Sequence, residues 1–352
     1  MKASNNNGVW NKEPITLSFE ITPPIWQRWW FIVLCILFIL LIVVFFIKFR
    51  ERQLVREKII LEQRVQERTE EVVQKSIEIE QKNKDIIDSI TYAKRIQDSI
   101  LPSEELFVKE LSQTFVLFNP KDIVSGDFYW LYVKDDVTLF AAVDCTGHGV
   151  PGAFMSIVGY NLLDKIVGEQ GITQPAEILN KLNRGVEETL KKEMDKHIVK
   201  DGMDITLCAF NKKTNVLDFA GAYNPLYIVS KNAIQNNKQA VEVDMNIGDL
   251  NLFEIKADRF PIGSYSDNHL NYTNNSFELS KGDTIYLFSD GYADQFGGPS
   301  GKKFRYKQFK QLLIEINTKT MQEQQQILHA TFNEWKGNLE QVDDVIVIGS
   351  RL

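Results

Sequence analysis

Four acidic positions in this sequence stand where apolar runs meet turns. In Phe140-Ala-Ala-Val-Asp-Cys-Thr-Gly-His-Gly-Val-Pro-Gly-Ala-Phe-Met-Ser156 an apolar run ends on Asp144. Gly147 and Gly149 follow, and glycine reaches backbone angles closed to other residues. Pro151 is suited to the first turn of a helix. Val124-Ser-Gly-Asp127 precedes the run Phe128-Tyr-Trp-Leu-Tyr132. Thr284-Ile-Tyr-Leu-Phe-Ser-Asp-Gly291 ends an apolar run on Asp290, and Gln341-Val-Asp-Asp-Val-Ile-Val-Ile-Gly349 opens one with Asp343 and Asp344. Taken singly, each reads equally well as a plain connection with a solvated acid. Together they suit hard divalent cations, which want oxygen ligands. Clustered carboxylates without cations would repel, and some would stay protonated. Two such ions, about 3.5–4 Å apart, can clamp a phosphoryl group and lower the pKa of a bound water.

Asp-Cys-Thr-Gly-His-Gly, Ser-Gly-Asp-Phe, Ser-Asp-Gly-Tyr-Ala-Asp and Asp-Asp-Val-Ile-Val occur in that set in one chain. The set resembles the motifs of metal-dependent Ser/Thr protein phosphatases of the 2C type, in their bacterial SpoIIE-like branch, over residues 92–352. The resemblance implies an α+β fold, an αββα four-layer sandwich, with two Mn²⁺ or Mg²⁺ ions and hydrolysis by a water activated between them. It assigns Asp144 to both ions, with the Cys145 backbone carbonyl as a further ligand. Asp290 and Asp343 would hold one ion, and Asp127 the other, directly or through water. Asp294 is a candidate outer or third-metal acid. Lys121 is either a phosphate contact or a solvated lysine. His148 is either the acid for the leaving alkoxide or a residue that stabilises the turn. Asp204 reads as structural, and Asp344 as pointing away from the metals. Gly221-Ala-Tyr-Asn-Pro-Leu226 and Phe260-Pro-Ile-Gly263 match the family as turn formers.

Strands must deliver these acids. Apolar or alternating runs predict strands near 115–118, 128–132, 204–210, 216–220, 225–230, 241–245, 253–257, 276–279, 284–289 and 344–349. Helices are expected near 152–168, 175–194, 306–316 and 321–335, and an exposed hairpin loop at 231–239. Strands in runs with helices grouped suggest α+β layering.

The division expected is a short extracytoplasmic lead at 1–28, a transmembrane helix at 29–47, a coiled-coil helix at 48–100 and the phosphatase domain at 101–352. Trp29 to Ile47 is continuously apolar and long enough to cross a bilayer. Trp26, Trp29 and Trp30 form an aromatic belt at one end; Lys48, Arg50, Arg52 and Arg56 follow the other. The positive-inside bias puts the C-terminal part in the cytoplasm, single-pass in a bacterial inner membrane. A signal peptide would carry its basic residues before the run. In the lead, Ile15-Thr-Leu-Ser-Phe-Glu-Ile21 alternates like a strand and stops at Pro23-Pro24. It resembles the last strand of a Bacteroidetes-type sensor ectodomain, which implies the tail of a longer receptor or a relative lacking its sensor head.

Residues 50–100 contain no Gly or Pro. Val65, Val72, Ile79, Ile86, Ala93 and Ile100 recur every seventh residue, one coiled-coil seam. The companion seam, Thr69, Ser76, Asn83, Ile90 and Gln97, is mostly polar, so the stretch reads either as one long solvated helix or, in preference, as a parallel homodimer through a weak and adjustable stalk. Pro102 ends the helix.

The formal charge of -7 argues against nucleic-acid binding. Cys35, Cys145 and Cys208 lack metal-site spacing and read as reduced, in a cytosolic main domain. Position weighs against a histidine kinase: His148, His197, His269 and His329 all lie beyond the stalk, and no glycine-rich ATP lid is evident. A catalytically inactive phosphatase-like module is the alternative, with retention of the acids against it. The partner implied by the family is a phosphorylated regulatory protein, a small anti-sigma-factor antagonist carrying phosphoserine.

Overall fold

The computed structural model describes the chain except residues 1, 11, 15, 23, 192–200, 233, 235–239 and 264–270. It divides into two compact units, Met1–Asn83 and Lys84–Leu352. Helix α1 (Trp29–Ile100) carries both the apolar run and the seam as one unbroken helix. It is the helix among the described residues long and apolar enough to cross a membrane, with an 18-residue window of mean hydropathy 3.5. The strand expected at Ile15–Ile21 is not formed: residues 16–21 have no regular structure. An alternating run with no neighbour to bond gains nothing from extension.

In the second unit, α2 (Glu104–Leu111) leads into β1 (Gln113–Asn119), β2 (Phe128–Lys134) and β3 (Val137–Cys145). Next come α3 (Gly149–Asp164), α4 (Pro175–Lys191), β4 (Met203–Asn211), β5 (Val216–Ala222) and β6 (Leu226–Ser230). After them run β7 (Ala240–Ile247), β8 (Leu250–Ile255), β9 (Asn275–Glu278) and β10 (Thr284–Phe288). The chain finishes with α5 (Gly291–Asp294), β11 (Phe296–Gly297), β12 (Lys302–Lys303), α6 (Arg305–Ile316), α7 (Met321–Lys336) and β13 (Val345–Arg351). Most of the expected hairpin loop at 231–239, and the end of the helix expected to 194, lie outside the described residues. Helix α2 was not expected; Ser103 caps it, its hydroxyl accepting from the Leu106 N–H at 3.3 Å.

Two antiparallel sheets stack, in the orders β1-β13-β10-β6-β8-β7 and β2-β3-β4-β5-β9. Alternation along β3 shows why both faces are apolar. Leu139, Ala141 and Val143 meet α3 and α4 through Met155, Leu163, Leu179 and Leu182. Phe140 and Ala142 face the other sheet, against Leu226, Ile228, Leu287 and Ile348. The far face of that second sheet presents Tyr286, Phe288 and Val347 to Phe309, Leu313, Leu328 and Phe332 of α6 and α7. Period-two side chains on two stacked sheets thus make three apolar layers and the αββα order that the resemblance implies.

Candidate metal centre

Register brings the acids to one edge. In β2 and β3, Phe128 pairs with Val143, so Asp127 lies level with Asp144. In β3 and β4, Asp144 pairs directly with Asp204. On the other sheet, Phe288 pairs with Val347, which sets Asp290 beside the start of β13 and Asp343. The two sheet edges meet where the Asp290 backbone N–H donates to Asp144 Oδ2 at 3.4 Å.

The carboxylates feel one another. Burial, then Asp144 and Asp344, push the Asp127 carboxyl well above its ordinary range. Burial, then Asp290 and Asp204, do the same for Asp144. Asp204 is pushed up to about 7 by burial and Asp290. Asp290 is pushed up to about 6 by burial, Asp294 and Asp343, with Lys303 opposing. Asp294 itself pairs with Lys303 at 2.7 Å, at the margin of the group. The Cys145 thiol is buried and pushed up by burial and by Asp127, which keeps it protonated and unreactive. The Cys145 carbonyl oxygen would stand 3.5 Å from a Cβ built on Gly126, so it borders the Asp127 turn.

Asp344 has a different task from Asp343. Its buried carboxylate accepts backbone N–H groups from Lys121 (2.7 Å), Gly126 (2.7 Å) and Asp127 (3.4 Å). It therefore fastens the loop that carries Asp127. The Lys121 side chain pairs with no acid among the described residues. His148 Nδ1 lies 2.7 Å from Asp122 Oδ2, both side chains about half exposed. The backbone closes tightly here: a Cβ on Gly152 would lie 2.3 Å from the Gly147 carbonyl oxygen and 2.7 Å from Gly126 Cα.

Asp204, which reads as structural in the sequence, is set opposite Asp144 by the β3–β4 register. Sequence reasoning missed two of these residues. Asp122, the partner of His148, gave no signal. Gln97 looked like one more polar seam position, but it is 3% exposed. Its Nε2 donates to the Ser125 carbonyl (2.6 Å) and Ser156 Oγ (2.9 Å), and its Oε1 accepts the Ser125 N–H (3.0 Å). The end of α1 is thereby bonded to the loop two residues before Asp127 and to α3.

The residues fit a hard divalent cation. Asp127 Oδ2 is buried with no hydrogen-bond partner, and the donor set is all oxygen, as Mg²⁺ and Mn²⁺ prefer. Among the described residues no three His, Cys, Asp or Glu side chains converge on one point. Mg²⁺ does not require that, since it usually keeps several waters and takes one or two carboxylates. A cavity of about 380 Å³, floored by Leu111, Phe210 and Leu279, opens at the opposite ends of the strands and touches none of these acids.

A sheet sandwich with acids along one edge defines a PP2C-type phosphatase. The SiaA-PP2C domain of Pseudomonas aeruginosa is 31% identical, with a TM-score of 0.65 over 77% of this chain and 98% of that one. The PP2C phosphatase domain with a regulatory fragment of SpoIIE from Bacillus subtilis has the same fold: TM-score 0.51, 19% identity, 68% of this chain and 63% of that one. No curated protein sequence matches. Residues 134–352 match the family model of stage II sporulation protein E, and the chain belongs to this SpoIIE family of PP2C-type Ser/Thr phosphatases, which use metal ions.

Proposed function

We propose that this chain is a membrane-anchored phosphatase that dephosphorylates phosphoserine or phosphothreonine on a cytoplasmic regulatory protein, with an anti-sigma-factor antagonist as the substrate suggested by family likeness. The observation that carries the reading is the strand register that sets Asp127, Asp144 and Asp204 level on one sheet and Asp290 beside Asp343 on the other, with burial and mutual repulsion raising the carboxyls of Asp127, Asp144, Asp204 and Asp290.

Asp127, Asp144, Asp290, Asp343 and the Cys145 carbonyl would hold a pair of Mn²⁺ or Mg²⁺ ions, with Asp204 and Asp294 outside them. Such a pair supplies neutralisation of phosphate charge and a bound water of lowered pKa. Asp344 keeps the Asp127 loop in register. Asp122 fixes the His148 ring through Nδ1, which leaves Nε2 to give a proton to the departing serine oxygen. Lys121 offers a positive charge to the phosphate.

Membrane anchoring is supported by the apolar run of α1 and its basic flank. A parallel dimer is supported by the seam, where Val65, Val72, Ile79 and Ile86 stand more than half exposed in the single chain. Gln97 supports control through the stalk: a change in the helix would act on Ser125 and Ser156, and so on the turns carrying Asp127 and Asp144.

The test is turnover of a phosphoserine peptide by the purified full-length protein with Mn²⁺. EDTA should stop it, and Asp144→Asn should lose it most completely, because Asp144 is assigned to both ions. Unchanged turnover in EDTA overturns the metal-dependent reading. No turnover with Mn²⁺ leaves the inactive-module reading.

A further inference from the structure

A cleft of about 390 Å³ opens beside the acid edge, between the β5–β6 turn, the end of β8 and α6. It adjoins the metal centre through the sheet. Ala222 pairs with Ile205, so the turn that follows leaves the sheet at the level of Asp204. On the α6 side, Tyr306 lies near enough for Asp290, Asp294, Asp144 and Asp204 to reinforce the upward push that burial gives its phenol.

The lining has a definite charge. Lys256, Arg259 and Lys310 face a single carboxylate, Glu254, already paired with Lys310 at 2.6 Å. Lys256 and Arg259 are exposed and form no ion pair among the described residues. This is a basic rim on a chain whose formal net charge is -7. Two features mark the cleft as a built site. Asn224 is 5% exposed and lines it, with its Nδ2 buried and unpartnered. A buried donor left unsatisfied costs free energy, which an ordered water or a ligand oxygen at the cleft floor relieves. Tyr223, at the lip, is held at φ 57° with its N–H bonded to the Asp258 carbonyl, and its ring is 52% exposed. Donors, cations and an exposed aromatic face fit an anionic, extended chain and not a neutral one.

We propose that this cleft is a docking subsite for acidic side chains that flank the phosphorylated residue of the protein substrate. It rests on the phosphatase reading above and adds the chemistry that selects among phosphoproteins. Lys256 and Arg259 pair with the flanking carboxylates, and Asn224 shapes the floor beneath them. The phosphate itself goes to the acid edge next door. Electrostatic complementarity of this kind chooses partners and speeds encounter more than it adds raw affinity.

The test uses the full-length protein and three probes: a fluorescein-labelled Glu-rich peptide without phosphate, phosphoserine peptides flanked by Glu or by Lys, and p-nitrophenyl phosphate. In EDTA, anisotropy should show the Glu-rich peptide binding wild type and weakening with added salt. The Lys256→Glu/Arg259→Glu double variant should bind it at least about tenfold more weakly. With Mn²⁺, wild type should show higher kcat/KM for the Glu-flanked phosphopeptide, and the double variant should lose or invert that preference. Turnover of p-nitrophenyl phosphate, too small to reach the cleft, should stay unchanged. Equal binding by the double variant, or no preference in wild type, overturns the proposal. If wild type hydrolyses nothing but the double variant loses peptide binding, the phosphatase reading fails and the anionic subsite stands.

Discussion

Replacing Asp344 by alanine should release the loop that carries Asp127 while leaving every assigned metal carboxylate in the chain. The two bonds at 2.7 Å, to the N–H groups of Lys121 and Gly126, have a charged acceptor. Each such bond contributes about 1.5–3 kcal/mol, so their loss spans about 3–6 kcal/mol. The third, at 3.4 Å, adds little. Two effects offset part of this. Water can reach the partly exposed Lys121, and removing the carboxylate relieves one of the charges acting on Asp127. A net loss of about 3 kcal/mol is expected for a buried network broken at one partner. At about 2–4 °C per kcal/mol for a domain this size, the metal-free melting temperature should fall by about 6–12 °C. The assay is a pair of thermal melts in EDTA and in Mn²⁺, with Mn²⁺ affinity from calorimetry. Because a ligand stabilises in proportion to its binding, the Mn²⁺-induced rise should also shrink in the variant. A variant that melts within about 1 °C of wild type and binds Mn²⁺ equally would refute the account of the loop.

Three further outcomes are expected. Asp204 and Asp290 have folded-state pKa values raised to about 7 and about 6, above the ordinary 3.8; their contribution to the fold is complete below about pH 4 and is lost as pH rises through those values. Asp204→Asn should therefore flatten the metal-free melting profile between those limits, and Mn²⁺ should do the same for wild type; a parallel profile in the variant contradicts the sign. Gly152→Ala must force the Gly147 carbonyl and Gly126 apart, so phosphatase activity should drop about a hundredfold or more, as small misplacements near the chemistry do, with the circular dichroism spectrum retained. One residue inserted near Asn83 turns everything beyond it by about 100°, whereas seven restore the face; activity in membranes should change with one and recover with seven, and no change with either makes the stalk only a tether.

The acids were readable because each ends or opens an apolar run, and a strand end is where a polar side chain can leave a core. The different roles of Asp343 and Asp344, just before β13, came with the family resemblance and not from any strand alternation. Asp204 was hidden because its place depends on which residue of β3 it faces, and register comes from the pairing of whole strands. Gln97 was hidden for a related reason: on a helix rich in glutamine, the one that is buried is chosen by what packs against it. The alternation at Ile15–Ile21 failed in the opposite direction, since a pattern suited to a strand needs a neighbour to bond. Helix α2 was readable from Ser103-Glu-Glu after Pro102, a cap and two acids in the first turn.

Strand β13 lies between the edge strand β1 and β10. Its Ser350 hydroxyl bonds Thr114 of β1, 236 residues earlier. At about 5–20 residues per second, a ribosome needs about 12–47 s to make the span between them. Throughout that interval β1 lacks the strand it pairs with, and the apolar faces of Phe115 and Leu117 await their neighbours. An unpaired apolar strand is open to association with other chains for that long. Yield in heterologous expression should respond to temperature and trigger-factor supply more steeply than the stability of the finished molecule would suggest.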